Sequence, residues 1–435
     1  MHNLDLVRLD RTLAQFAAQH ARFLRALEGS NAVEHVFEML PAGLDWELYA
    51  TLQEQAGRDP LAAPSARWLG FLLVEHACID ARRSLAQAVH RELKALDKPE
   101  RGPFSFAQLR RLALEDVLRR SAWLGALEAP AERVAAARVA LEERRAECGA
   151  RLVDATLAPE SDPRLLRGVE TFLVATDDAY RELGIGSFAK MIDGGLGQDV
   201  LGSWPARLLP RSIAEWFREA GWLAGLEPTI DRLPQRLGAS SWLRALDAFG
   251  RALHDAASGK RHPFVLAREP QSQRRATYGA LLALLPLEAA FAERRLEVSR
   301  VHRADYLRAL ARVVLIGARQ SALRARLRQA LGHGTASYRE TFEHALPRAL
   351  GFELPRSTAG AWFASEAGAT DFGGLLLAAA RHERLIQNHD EDWFRNPRAV
   401  EELREELEMP QTAAASDGAF EAGVGALSER LITRL

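Results

Sequence analysis

The stretch that decides the reading of this chain is SWLRALDAFGRALHDAAS, Ser241–Ser258. Trp242, Leu246, Phe249 and Leu253 recur at i, i+4, i+7 and i+11, the spacing of one apolar stripe on a helix. Ser240 or Ser241 stands where a cap is expected, and Gly259 follows the end. Asp247, Gly250, Arg251 and His254 fall on an adjacent, more polar stripe. The stretch therefore predicts an amphipathic helix with a chemically loaded second face.

Outward from it, the chain has 435 residues and a net charge of −1. That length allows a large core, and the balance of charge gives no general attraction to nucleic acid or to an anionic membrane. Ala, Leu, Arg and Glu dominate, which favours helix almost throughout. The longest apolar run, within Tyr278–Leu287, is too short to span a bilayer. The opening MHNLDLVRLDR is charged and has no signal-peptide core. Cys78 and Cys148 have neither zinc-pair spacing nor the numbers of a disulfide framework, so they are expected to be buried thiols in a reducing, cytoplasmic setting.

Several isolated signals favour structure over chemistry. His20 sits on the apolar stripe of a first helix and is expected to be a satisfied core histidine. His76 with Asp80, and Glu340 with His344, are i, i+4 pairs with no third ligand nearby. Ser105–Gln108, Ser212–Glu215 and Ser337–Glu340 have capping-box spacing, and Asn396 with Pro397 predicts another helix start. The glycine-rich Gly184–Gln198 lacks the order of a phosphate loop and is read as a flexible connector. Trp216 and Trp222 are read as core, and Lys260–Pro270 as the best extended piece. Arg319, Arg324, Arg326 and Arg328 are read as a solvated helix face. No repeat of fixed period is visible.

The second part of the chain resembles a family. FLVATDDAYRELG (Phe172–Gly184), the Ser241–Ser258 helix, SYRETFEHALPRALGFELP (Ser337–Pro355) and Thr370–Glu406 with its EDWFRNP string are similar to the helical zinc peptidases of the oligopeptidase F and thimet oligopeptidase class. The resemblance implies a clam-shaped helical fold with a zinc site on an HExxH helix. In that frame Gly250, Ala252 and His254 match. The first zinc histidine is Asp247, the catalytic glutamate Ala248 and the second histidine Arg251; the third ligand falls on Tyr278, and a transition-state tyrosine on Phe372. Arginine keeps its proton in proteins and has no lone pair for a metal, and alanine activates no water. The segment Glu227–Ser240 is too short for the family's substrate edge.

The expectation is an all-α, two-lobed protein. Residues 1–160 form an N-terminal helical subdomain, 161–410 a subdomain resembling the catalytic lobe, and 411–435 a linker and a mobile terminal helix. The functional expectation is a non-catalytic pseudopeptidase with no metal and no cofactor. It binds a peptide or protein partner, a paralogous peptidase among them, and neither nucleic acid nor membrane. Its cleft is expected near Asp247, Arg251, His254, Tyr278 and Phe372. Two alternatives stand beside it: an active hydrolase with another constellation, and a structural subunit whose cleft is filled by side chains.

Overall fold

The computed structural model describes residues 5–28, 37, 39–95, 120–152, 162–223, 225–230, 233, 237–258, 262–354, 356, 367–409 and 418–435. The protein is all-α, with no strand among these residues. In chain order the helices are α1 (Leu6–Glu28), α2 (Trp46–Gln55), α3 (Ala62–Ala77), α4 (Ile79–Ala95), α5 (Arg120–Gly149) and α6 (Pro163–Ala175). There follow α7 (Asp177–Glu182), α8 (Phe188–Leu196), α9 (Pro210–Arg218), α10 (Ala239–Ser258), α11 (Phe264–Ala267) and α12 (Gln273–Leu284). The last are α13 (Ala289–Arg295), α14 (Arg303–Gly332), α15 (Thr335–Leu350), α16 (Gly368–His389), α17 (Pro397–Glu408) and α18 (Ala419–Arg434).

The deciding stretch folds as its spacing predicts. Trp242, Leu246, Phe249 and Leu253 of α10 are all buried in the large core, each worth about 1.5–3 kcal/mol of burial. The same core takes the aromatic residues read as interior. Trp242 packs on Trp204 and Trp216, and the Trp222 indole donates to the Phe394 carbonyl at 2.8 Å. The Asn396 cap forms, its side chain accepting from the Arg398 amide at 3.0 Å with Pro397 in the first turn.

A second core lies among α1, α2 and α3, around Leu13, Phe16, Phe37, Leu52, Leu69 and Leu72. It reaches far along the sequence, because Val265 of α11 belongs to it. Asp10 accepts from the Phe264 and Val265 amides at 3.1 and 2.9 Å, and the Trp68 indole donates to the Arg268 carbonyl at 2.7 Å. The segment expected to be extended is thus a one-turn helix capped from α1. Satisfying its amides with a distant carboxylate, not with a neighbouring strand, is what makes it helical. His20 is buried as expected and sits 3.1 Å from Glu75 Oε2. Cys78 and Cys148 are buried free thiols in one small cluster with Val74 and Leu141, and burial pushes the Cys78 thiol up to about 12.

Four local expectations change. Gly184–Gln198 is not a loop: Ser187 caps α8, and Gly194 and Gly195 lie against Ile316 of α14, where small residues permit the close approach. The Ser212 and Ser337 boxes do not cap, since α9 starts at Pro210 after Leu209 and α15 at Thr335 after Gly334; the Ser105 box lies outside the described residues. Arg319 and Arg328 are buried, so the arginines of α14 do not form one solvated face. Finally, α18 is not a detached tail: Phe420, Val424, Leu427 and Leu431 are buried in the large core. A Cβ at Gly423 would stand 2.2 Å from the Leu376 carbonyl of α16, so the two helices are in backbone contact.

No single helix among the described residues is long and apolar enough to cross a membrane. The pair Gln273–Leu287 and Ala289–Arg295, bent by 77°, reaches that length and composition together, but Leu281, Leu282, Leu284, Leu285 and Leu287 are core residues here.

Candidate functional site

Glycines bring the three helices of the site together. A Cβ on Gly250 of α10 would stand 2.3 Å from the Tyr278 carbonyl of α12, and one on Gly279 would stand 2.4 Å from Asp247 Oδ1. On the other side of α12, a Cβ on Gly374 of α16 would meet Ala276 Cβ at 2.6 Å. The helices α10, α12 and α16 therefore cross at backbone contact, and nothing the size of a peptide passes between α10 and α12.

Above this crossing lies an ion cluster. Arg251 Nε donates to Asp247 Oδ2 at 2.8 Å and its Nη2 to Asp247 Oδ1 at 3.2 Å. The same Nη2 donates to Asp371 Oδ1 of α16 at 2.9 Å. Asp247 keeps 30% of its side chain accessible and Asp371 39%, so the cluster is partly open to solvent. Burial raises the Asp247 pKa, against the pull of Arg251. Burial also works against the Arg251 cation, but Asp247 and Asp371 outweigh it and hold its proton more tightly than usual.

The five residues expected to line a cleft divide into two groups. Asp247 and Arg251 belong to the partly exposed ion cluster. His254, Tyr278 and Phe372 are core residues, at 1%, 6% and 0% exposure. His254 packs against Tyr278 with ring centroids 5.8 Å apart, and its Nδ1 lies 3.4 Å from Asp255 Oδ1. Burial lowers its pKa and so keeps it neutral. The Tyr278 hydroxyl points to α17, donating to Glu406 Oε2 at 3.2 Å, and burial raises its pKa. Phe372 packs edge-on against Phe172 of α6. The reason is the helix crossing: with Gly250 pressed on Tyr278, the side of α10 that carries His254 is covered by α12 and α17.

Sequence reasoning missed Asp371, although it adjoins Phe372 and lies in the first turn of α16. Its meeting with Arg251 joins helices far apart in the chain, which no local pattern records.

The donors present do not fit zinc. One carboxylate, with both oxygens engaged by a guanidinium, replaces the imidazole set that such a site needs. Among the described residues no group of three His, Cys, Asp or Glu side chains is arranged to hold a metal ion. The other i, i+4 pairs do not assemble one either: Asp80 is exposed and pairs with Arg83, His76 packs near Phe16 and Phe37, and Glu340 and His344 are exposed. Ala248 stands beside the cluster where the resemblance puts the catalytic glutamate, and both oxygens of Asp247 are taken by Arg251.

No family model matches this chain, and no curated protein matches it. Among solved structures it is similar in fold to a carboxypeptidase of Pyrococcus furiosus, described as apo-Mg. The TM-score is 0.50, the identity 14%, and the match covers 98% of each chain. The likeness is one of fold. It extends a peptidase-like helical architecture over the N-terminal residues, where the motif resemblance had stopped.

Proposed function

We propose that this chain is a non-catalytic protein on a peptidase-like scaffold, one that binds a peptide or protein partner at the partly exposed ion cluster of α10 and α16. The observation that carries this reading is Arg251, bridging Asp247 and Asp371 from two helices. It stands at the helix position where the resemblance to the oligopeptidases puts the second zinc histidine. A metal centre is a cation held between donors from neighbouring helices; here the cation is a side chain, and no site for a dication remains beside it. The neighbouring Ala248 removes the group that would activate water. Kinship with the oligopeptidase class and loss of its zinc motif are part of this proposal.

A second reading, a structural subunit with a filled cleft, is favoured by one observation: His254, Tyr278 and Phe372 are packed into the core. What remains exposed beside them is a paired ion cluster, and a scaffold needs no ligand there.

The deciding experiment is metal content and hydrolysis of natively purified, chelator-free protein, followed by a search for peptide binding. About one tightly held zinc per chain, or peptide hydrolysis abolished by chelator, overturns the proposal. Metal-free protein that binds peptides saturably without cleaving them supports it. Metal-free protein that binds none leaves the scaffold reading.

A further inference from the structure

His382 of α16 is 0% exposed, and its Nε2 stands 3.2 Å from Oε1 of Glu288, the residue just before α13. Glu288 is itself 2% exposed. Two arginines of α18 hold the same carboxylate: Arg430 through Nη1, and Arg434 through Nη2 at 3.4 Å. An ionised carboxylate only accepts, so the imidazole proton sits on Nε2 and Nδ1 carries a bare lone pair. That Nδ1 is buried and has no hydrogen-bond partner among the described residues.

A second proton on this ring is therefore costly. Trp393 meets the imidazole edge-on, with ring centroids 5.4 Å apart. It offers only an N–H, itself buried and unpartnered among the described residues, so it cannot accept from a protonated Nδ1. The charged groups around the ring come from three elements. Glu288 attracts the imidazolium, Arg430 and Arg434 of α18 repel it, and Glu383 of α16 is engaged by Arg430 Nη2 at 3.0 Å. Burial lowers the proton affinity of His382, with Glu288 opposing and Arg430 and Arg434 adding to the effect.

The same junction fastens α18. Beside the two contacts to Glu288, Arg434 Nε donates to the Leu287 carbonyl at 2.8 Å. Imidazolium and arginines thus compete for one buried carboxylate. Lifting the end of α18 removes both arginines, leaves Glu288 to the imidazolium and admits water.

We propose that His382 is an acid-sensitive latch for α18: its second proton drives the helix off the Leu287–Glu288 junction. The sign follows from linkage. Above the free histidine's value, about 6.5, the ring is neutral whether α18 is seated or lifted. As pH falls below that value the lifted form takes up the proton first, and the seated form loses stability down to its own lower value.

The test is hydrogen exchange of the full chain, read by mass spectrometry on peptides from Ala419–Arg434 and corrected for intrinsic exchange rates. Opening of α18 is expected to rise about tenfold between about pH 7.5 and about pH 5.5. His382→Gln keeps an N–H towards Glu288 and has no second proton to take, so the rise is expected to vanish. An equal rise in wild type and variant, or a rise shared equally by α14, overturns the latch. Should His382→Gln not fold, the wild type decides. Exchange of the His382 ring C2 hydrogen gives that residue's own titration midpoint. A midpoint well below about 6.5 keeps the latch, and one at or above it overturns it.

Discussion

Arg319 of α14 ties that helix to α6, α7 and α15 and is 1% exposed. Its Nε donates to the Ala349 carbonyl at 2.7 Å, and Nη1 to the Leu173 carbonyl at 3.0 Å and Thr176 Oγ1 at 2.8 Å. Nη2 reaches Asp177 Oδ1 at 3.0 Å and the Arg348 carbonyl at 2.9 Å, and the guanidinium lies over the Tyr180 ring. One cation thereby closes the C-terminal ends of α6 and α15, where the helix dipole favours positive charge. Arg319→Met is expected to cost about 3–5 kcal/mol in urea unfolding, because it orphans several buried acceptors and Asp177. Arg319→Lys should lose most of the same, since an ammonium lacks the planar fork. Arg326, with 40% of its side chain accessible beside Glu170, should tolerate Ala within about 0.5 kcal/mol. Sequence treated these two arginines alike, because an arginine reads as polar wherever it points; only the neighbours of α14 tell them apart.

Between elements, glycine sets the distances. Gly250→Ala or Gly279→Ala would force α10 and α12 apart at the one place where their backbones touch. Either is expected to cost about 3 kcal/mol or more by overpacking, measured by chemical denaturation. In the sequence Gly259, beyond the end of the same helix, reads as a stop signal, whereas Gly250 reads only as a motif match. Its packing role depends on which helix crosses there. The same holds for α18. Its amphipathic pattern is weak and it follows a polar linker, yet Gly423 and four apolar side chains seat it on α16. Ending the chain at residue 417 should abolish cooperative thermal unfolding and raise dye binding to exposed apolar surface. A tail free of the core would change neither.

Across the whole molecule, the first core is tied to the second by a buried ion network. Glu75 is 2% exposed and accepts from Arg82 Nε at 2.8 Å and Arg145 Nε at 3.0 Å, with His20 at 3.1 Å. Glu142 of α5 takes Arg145 at 2.9 Å and Arg328 of α14 at 2.6 Å. Burial alone would push the Glu75 carboxyl up, but Arg145, His20 and Arg82 outweigh it and hold it well below the usual carboxylate range. A carboxyl depressed in the folded state contributes stability that is full above its unfolded value, about 4.3. That contribution is lost as pH falls from there towards the folded value. Glu75→Gln should therefore cost about 3–5 kcal/mol at neutral pH and flatten the loss of stability below about pH 4.3. An acid limb as steep as that of the wild type would remove Glu75 from the account.

Sequence by itself determined the helical class, the apolar stripe of α10, the interior tryptophans and the Asn396 cap. Each rests on a period or spacing within one helix, and local geometry enforces these whatever surrounds them. Tertiary structure alone decided that His254, Tyr278 and Phe372 turn inward, that Asp371 joins Arg251 and that Asp10 caps a helix far along the chain. These depend on which helices cross and how closely, and that is set by small residues distant in sequence whose effect exists only once both helices are in place.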